Sequence, residues 1–104
     1  MNKEKWGQLT FLEQMSNIDG DVSRLIRAHE KYLNGESKVD NGYFYLENIK
    51  KLIRMILLSP GNESKGYRAI ELFDEAEEIR KYLEGEYDDK YIRSYWEQYT
   101  KAIS

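Results

Sequence analysis

Apolar residues recur along this chain at intervals of three and four, the spacing that places them on one face of an α-helix. No stretch of useful length alternates between apolar and polar residues as a β-strand does. Interruptions in the pattern divide the chain into four helical segments, roughly residues 10–34, 41–58, 65–84 and 89–103. Because short connections favour antiparallel neighbours, we predict an all-α fold in which residues 1–104 form a single antiparallel four-helix bundle.

Local signals support these boundaries. Thr10 and Glu13 have the spacing of a capping box, in which each side chain accepts the backbone N–H of the other residue. The pair Asn34-Gly35 ends the first segment, since glycine readily takes the left-handed conformation that follows many helices. The remaining boundaries are placed at Ser59-Pro60-Gly61-Asn62, after Ser64, at Gly85 and at Asp88-Asp89. The loop 35–40 is the longest connection, and we expect it to be the most mobile.

Composition limits the classes of function that fit the chain. The 104 residues carry a net charge of −3, with +1 on residues 1–60 and −4 on residues 61–104. Nucleic-acid binding needs a basic face that neutralises phosphates, so nucleic acid is not an expected partner. There is no cysteine, which excludes disulfides and thiolate sites. The longest aliphatic run, 55–58, is short and no apolar leader is visible, so we expect a cytoplasmic protein without a membrane span.

The only histidine, His29, stands five residues after Arg24. This Arg-x4-His pattern resembles the core of the ribonuclease motif of HEPN proteins, in which histidine would move protons and arginine would stabilise charge at the phosphate. Five residues of helix turn through about 500°, so Arg24 and His29 point about 140° apart. His29 falls at the centre of the apolar arc, and Arg24 lies on the solvent side. We favour a core or interface histidine, with RNA cleavage or RNA binding by Arg24 and His29 as the alternative.

Other metal-binding or catalytic arrangements receive little support. A di-iron site in a helical bundle needs two Glu-x-x-His motifs, and the residue three positions before the single histidine is Ile26. One face of the third helix should carry four carboxylates, from Glu71, Asp74, Glu75 and Glu78. These form either a solvated charged surface or a site for a divalent cation or a basic partner. We favour the solvated surface and predict neither a metal nor a cofactor.

The chain is rich in aromatic residues, with nine tyrosines and two tryptophans. Tyrosine suits half-buried surfaces, because its ring is apolar and its hydroxyl is polar. In the second helix, Phe44 and Met55 fall outside the main apolar arc, which indicates either a more central helix or a dimer contact. The candidate interface residues are therefore Phe44, Met55, Tyr91, Tyr95, Trp96 and Tyr99, although the aromatic residues of the last helix could instead pack the rim of the bundle. A small-ligand pocket lined by Tyr and Trp between the helices is a further interpretation.

The stretch WGQLTFLEQMSNIDGDVSRLI, residues 6–26, resembles the opening of a family of small uncharacterised bacterial and archaeal proteins, W-G-x-L-x-F-x-E-Q-M-x-N-I-G-x-E-V. The positions that match in place are Trp6, Gly7, Leu9, Phe11, Glu13, Gln14, Met15, Asn17 and Ile18. Asp19 and Asp21 stand where that family has glycine and glutamate. The resemblance implies a compact helical protein with Trp6 folded onto the bundle, and it carries no established activity. The family generally has no histidine at the position of His29, which argues against the ribonuclease interpretation.

The lack of a catalytic arrangement and the surplus of aromatic and apolar residues lead to one functional hypothesis. We expect a small non-enzymatic module that binds a protein partner or forms a homodimer. A core histidine in such a module should tolerate leucine or glutamine, because an apolar side chain needs no hydrogen-bond partner.

Overall fold

The computed structural model describes the backbone of residues 3–58 and 66–103 and the side chains of residues 4–56, 58 and 70–97. These ranges contain five helices and no strand: α1 (Lys3–Gly7), α2 (Phe11–Leu33), α3 (Gly42–Leu58), α4 (Gly66–Leu83) and α5 (Asp89–Ile103). The all-α prediction is confirmed, and helices α2 to α5 begin and end within one residue of the four predicted segments. The predicted boundary residues 59–62 and 64 lie outside the described part of the chain.

Helix α1 is the one element that the apolar pattern does not predict, because five residues contain too few turns to show a period. Its Trp6 is buried, and Nε2 of Gln14 in α2 donates a hydrogen bond to the carbonyl oxygen of Trp6 at 2.9 Å. The capping box is present at the start of α2. The N–H of Glu13 donates to Oγ1 of Thr10 at 3.1 Å, and the N–H of Thr10 donates to Oε1 of Glu13 at 2.8 Å. Trp6 therefore folds onto the bundle beside this cap, as expected.

Helix α2 packs against both α3 and α5, and α3 packs in addition against α4. Two side-chain pairs give the relative direction of α2 and α3. Asp21 accepts a hydrogen bond from Asn48, and the later residue His29 pairs with the earlier residue Asp40. The two helices are therefore antiparallel. An ion pair likewise places the start of α5 beside the end of α2.

The core contains apolar side chains from all five helices, including both tryptophans. Trp96 of α5 and Met55 of α3 are buried in it. Met55 is enclosed because α3 packs against α1, α2 and α4, so its buried arc is wider than one face. The apolar flank of α3 indicates either a central helix or a dimer contact. The burial of Met55 fits a central helix.

Helices α2 and α4 end in the same way. Gly35 and Gly85 have positive φ angles of 79° and 88°, a conformation that glycine adopts without a steric cost. The N–H of Glu36 donates to the carbonyl of Lys31, and the N–H of Gly35 donates to that of Tyr32, which together form a Schellman motif. The same two bonds recur around Gly85. Loops 34–41 and 84–88, with the helix turns that adjoin them, make up one end of the bundle, which we call the histidine end.

Candidate functional site

The histidine end contains a buried polar pair. His29 lies near the C-terminal end of α2, and Asp40 lies two residues before α3 begins. Nδ1 of His29 is 2.6 Å from Oδ2 of Asp40, and only 5% and 8% of the two side chains are exposed. The other oxygen, Oδ1, accepts the backbone N–H of Gly42 at 2.9 Å, so Asp40 also satisfies a free N–H at the start of α3. The pair therefore ties the end of α2 to the first residue of α3.

Tyr82 of α4 packs against this pair. Its ring meets the His29 ring edge-on, with the centroids 4.9 Å apart. Burial, with the negative charges of Asp89 and Glu30 nearby, raises the pKa of Tyr82 to about 12, so its hydroxyl stays protonated at physiological pH. Since Nδ1 of His29 faces Asp40, Nε2 is the ring atom left for other partners.

His29 and Tyr82 form part of the wall of a cleft of about 420 Å³, which we call the aromatic cleft. Tyr32, Leu33 and Tyr87 also line it, and its carboxylates are those of Glu30, Glu84, Asp88 and Asp89. Among the described residues that line the cleft there is no arginine or lysine. Arginines stand close by, however. Arg80 lies 2.6 Å from a Glu84 oxygen and Arg93 lies 2.6 Å from an Asp89 oxygen, so much of this negative charge is compensated.

Large apolar and aromatic side chains are exposed at the histidine end, and three of them line the aromatic cleft. We call them the aromatic surface, and they are Tyr32, Leu33, Val39, Tyr43, Phe44, Tyr87 and Tyr91. They come from the end of α2, the start of α3, the start of α5 and the two loops between them. Exposed apolar side chains grouped in this way are typical of a surface that binds another molecule.

The structure does not bring Arg24 and His29 together. Arg24 is exposed, and its Nη1 donates to Oδ1 of Asp21 at 2.7 Å. The second oxygen of Asp21 accepts the amide N–H of Asn48 at 2.6 Å. Arg24 lines a different cleft from the one that His29 lines. The two fixed residues of the Arg-x4-His pattern therefore point apart, as the helical rotation predicts, and they form no shared site.

The four carboxylates predicted on the third helix of the pattern lie along α4. Glu71 and Asp74 are exposed, and Glu75 is half-buried, with the Tyr91 hydroxyl 3.4 Å from its Oε1. Burial raises the pKa of Glu75, and the hydrogen bond from Tyr91 opposes this shift. Glu78 lies 3.6 Å from Nζ of Lys81. In the part of the chain that the structure describes, no group of three or more acidic or histidine side chains is arranged to hold a metal ion.

The candidate interface residues are placed differently from one another. Phe44 is 71% exposed and Tyr91 is also exposed, so both belong to the aromatic surface. Tyr95 is half-buried and packs edge-on against Trp96. Trp96 and Met55 are buried within the chain and offer no surface to a partner, because each is enclosed by neighbouring helices. The side chain of Tyr99 lies outside the described residues.

Two residues of the site escape sequence reasoning. Asp40 and Tyr82 lie 11 and 53 positions after His29, and nothing local to either residue indicates that they meet. The only local signal is that Asp40 shortly precedes a helix, where an acidic side chain often accepts a backbone N–H.

Comparison of the chain with protein-family models, with curated proteins and with solved structures finds no match. The resemblance of residues 6–26 to a helical family stays a prediction. Among the described residues, no helix combines the length and the apolar character needed to cross a lipid bilayer. The geometry of the clefts is therefore the basis for a functional hypothesis.

Proposed function

We propose that this protein is a self-associating module in which two copies pack through the aromatic surface at the histidine end. The observation that carries the proposal is that exposed Tyr32, Leu33 and Tyr87 line one cleft, at an end of the bundle that exposes further tyrosines and Phe44. Aromatic residues are enriched at the centres of protein interfaces, because they bury a large apolar area while the tyrosine hydroxyl still finds a polar partner.

A symmetric dimer fits this surface because it contains both a projection and a cavity. Leu33 is 66% exposed and stands at the wall of the aromatic cleft. In a two-fold contact each surface meets its own copy, so a side chain that projects beside a cavity can enter the cavity of the partner. The arginine partners of Glu84 and Asp89 reduce the repulsion that two acidic rims would otherwise produce.

Sedimentation equilibrium of the wild type and of Leu33→Glu tests the proposal. The wild type should approach the mass of a dimer as its concentration rises. Full burial of a leucine contributes about 1.5–3 kcal/mol, about two thirds of this is still available to Leu33, and a dimer contains two copies. Leu33→Glu should therefore weaken association at least about 30-fold. Circular dichroism should show an unchanged helix content, since Leu33 is exposed in the monomer.

Leu58→Glu is the matched control. Leu58 is 68% exposed and is the last residue of α3, as Leu33 is the last residue of α2. Because the two helices are antiparallel, Leu58 lies at the far end of the bundle, and its replacement should leave the dimer intact. A wild type that stays monomeric at every concentration contradicts the proposal, and so does an equal effect of the two substitutions.

A further inference from the structure

A second cleft lies between α2, the end of loop 34–41 and the start of α3. Its volume is about 310 Å³, and we call it the basic cleft. Its wall includes Arg24, Arg27 and Lys31 from α2, and Asn41 and Tyr45 from the other side. None of the described residues that line it is acidic, although the whole chain carries a net charge of −3. The charge of this cleft therefore opposes the net charge of the protein.

The three cations share one face of α2. At about 100° per residue, Arg24, Arg27 and Lys31 lie within an arc of about 60°. Within the described part of the chain, Arg27 and Lys31 form no ion pair. Arg24 is held by Asp21, and Asn48 occupies the second oxygen of that carboxylate. Arg24 is thus oriented by one of its N–H groups while its other donors stay available to a ligand.

We propose that the basic cleft binds the phosphate group of a small phosphorylated molecule. A phosphate dianion has oxygen acceptors in a tetrahedral arrangement, so it can take hydrogen bonds from two walls at once. Guanidinium groups match such oxygens in pairs, and an ammonium group adds a point charge. Across the cleft from the cations, the Asn41 amide and the Tyr45 hydroxyl are neutral donors. A planar carboxylate has only two oxygens, so it would accept hydrogen bonds from fewer of these donors.

The size and surroundings of the cleft favour a small ligand over a nucleic acid. A nucleic acid is bound through many phosphates along an extended basic surface. The cleft gathers only three cations, and the neighbouring face of the molecule at the aromatic cleft is rimmed by carboxylates. An extended polyanion would meet that acidic rim, whereas a single phosphate would lie wholly within the basic cleft.

Isothermal titration calorimetry tests the proposal with four probes: inorganic phosphate, pyrophosphate, adenosine monophosphate and adenosine. The three phosphate-bearing probes should bind, and adenosine should not. Arg27→Gln and Lys31→Gln should each weaken binding at least about tenfold, because each removes a charge-assisted hydrogen bond. Both residues are exposed, so neither substitution should change the fold, which circular dichroism checks. Added sodium chloride should weaken binding through screening.

Arg54→Gln is the control for net charge. Arg54 is an exposed arginine of α3 that lies about 180° around the helix from Tyr45. Its removal should leave binding unchanged, and a loss equal to that of Arg27→Gln would overturn the proposal. Failure of every phosphate probe to bind at about 10 mM would overturn it as well. So would binding of a single-stranded RNA oligonucleotide without binding of the small probes, since this would indicate a nucleic-acid surface. None of these substituted residues belongs to the aromatic surface, and sedimentation equilibrium of each variant shows whether self-association is unchanged.

Discussion

Replacing His29 with leucine removes one half of the buried pair at the histidine end. The carboxylate of Asp40 would keep its bond from the N–H of Gly42 but would lose its only side-chain partner that the structure shows. Both members of the pair are less than a tenth exposed, so water cannot readily replace the imidazole. The sequence alone predicts that a core histidine tolerates leucine, but that prediction assumes no charged partner. The presence of Asp40 reverses it.

The burial of the two side chains determines how much unfolding free energy the substitution removes. An exposed ion pair contributes about 0–1 kcal/mol, whereas removing one member of a buried pair costs about 3–5 kcal/mol. We expect His29→Leu to lower the free energy of unfolding by about 3 kcal/mol or more, a large share of the roughly 5–15 kcal/mol available to such a domain. His29→Gln should cost less, about 1–2 kcal/mol, because its amide can still donate a hydrogen bond to Asp40.

A double-mutant cycle with Asp40→Asn isolates the interaction. In the double variant no charge is left buried, so Asp40→Asn should cost less in the leucine background than in the wild type, with a coupling energy of about 2 kcal/mol. Urea unfolding measures each free energy, and the fluorescence of Trp6 and Trp96 follows it because both indoles are buried. A coupling energy below about 0.5 kcal/mol would refute the view that the two residues depend on each other.

Two further substitutions test the helix ends. Gly35→Ala puts a Cβ on a residue with a φ of 79°, so the free energy of unfolding should fall by about 1–2 kcal/mol. Gly35→Asn should cost less, because asparagine adopts this conformation more readily than alanine. An unchanged urea midpoint for Gly35→Ala would contradict this prediction. The hydrogen bond from Arg93 holds the pKa of Asp89 below its usual value. The stabilisation by ionised Asp89 is therefore complete above the unfolded-state pKa of about 4, and it is lost as the pH falls through the lower folded-state pKa. The stability difference between the wild type and Asp89→Asn should therefore shrink as the pH falls below about 5, and a constant difference would speak against the bond.

The helices could be predicted because the signals that bound them are local. Gly35 ends α2 through bonds to carbonyls within five residues, and the rotation of one helix suffices to place Arg24 outside and His29 inside. The pairing of His29 with Asp40 could not be predicted, since it depends on the path of a loop between two helices. The burial of Met55 likewise depends on which helices surround α3, and a single-helix projection contains no information about neighbours.

Loop 34–41 lines the basic cleft through Ser37 and Asn41, and the buried pair fixes the loop where it meets α3. Asp40 pairs with His29 in the wall of the aromatic cleft, and the next residue, Asn41, belongs to the wall of the basic cleft. Helix α2 carries both His29 and the three cations, so one rigid helix supplies the charged groups and the anchored loop supplies the facing wall. A substitution at the buried pair therefore acts first on stability. Arg27→Gln acts on an exposed cation and should leave unfolding unchanged, so recognition and stability can be separated at neighbouring positions of one helix.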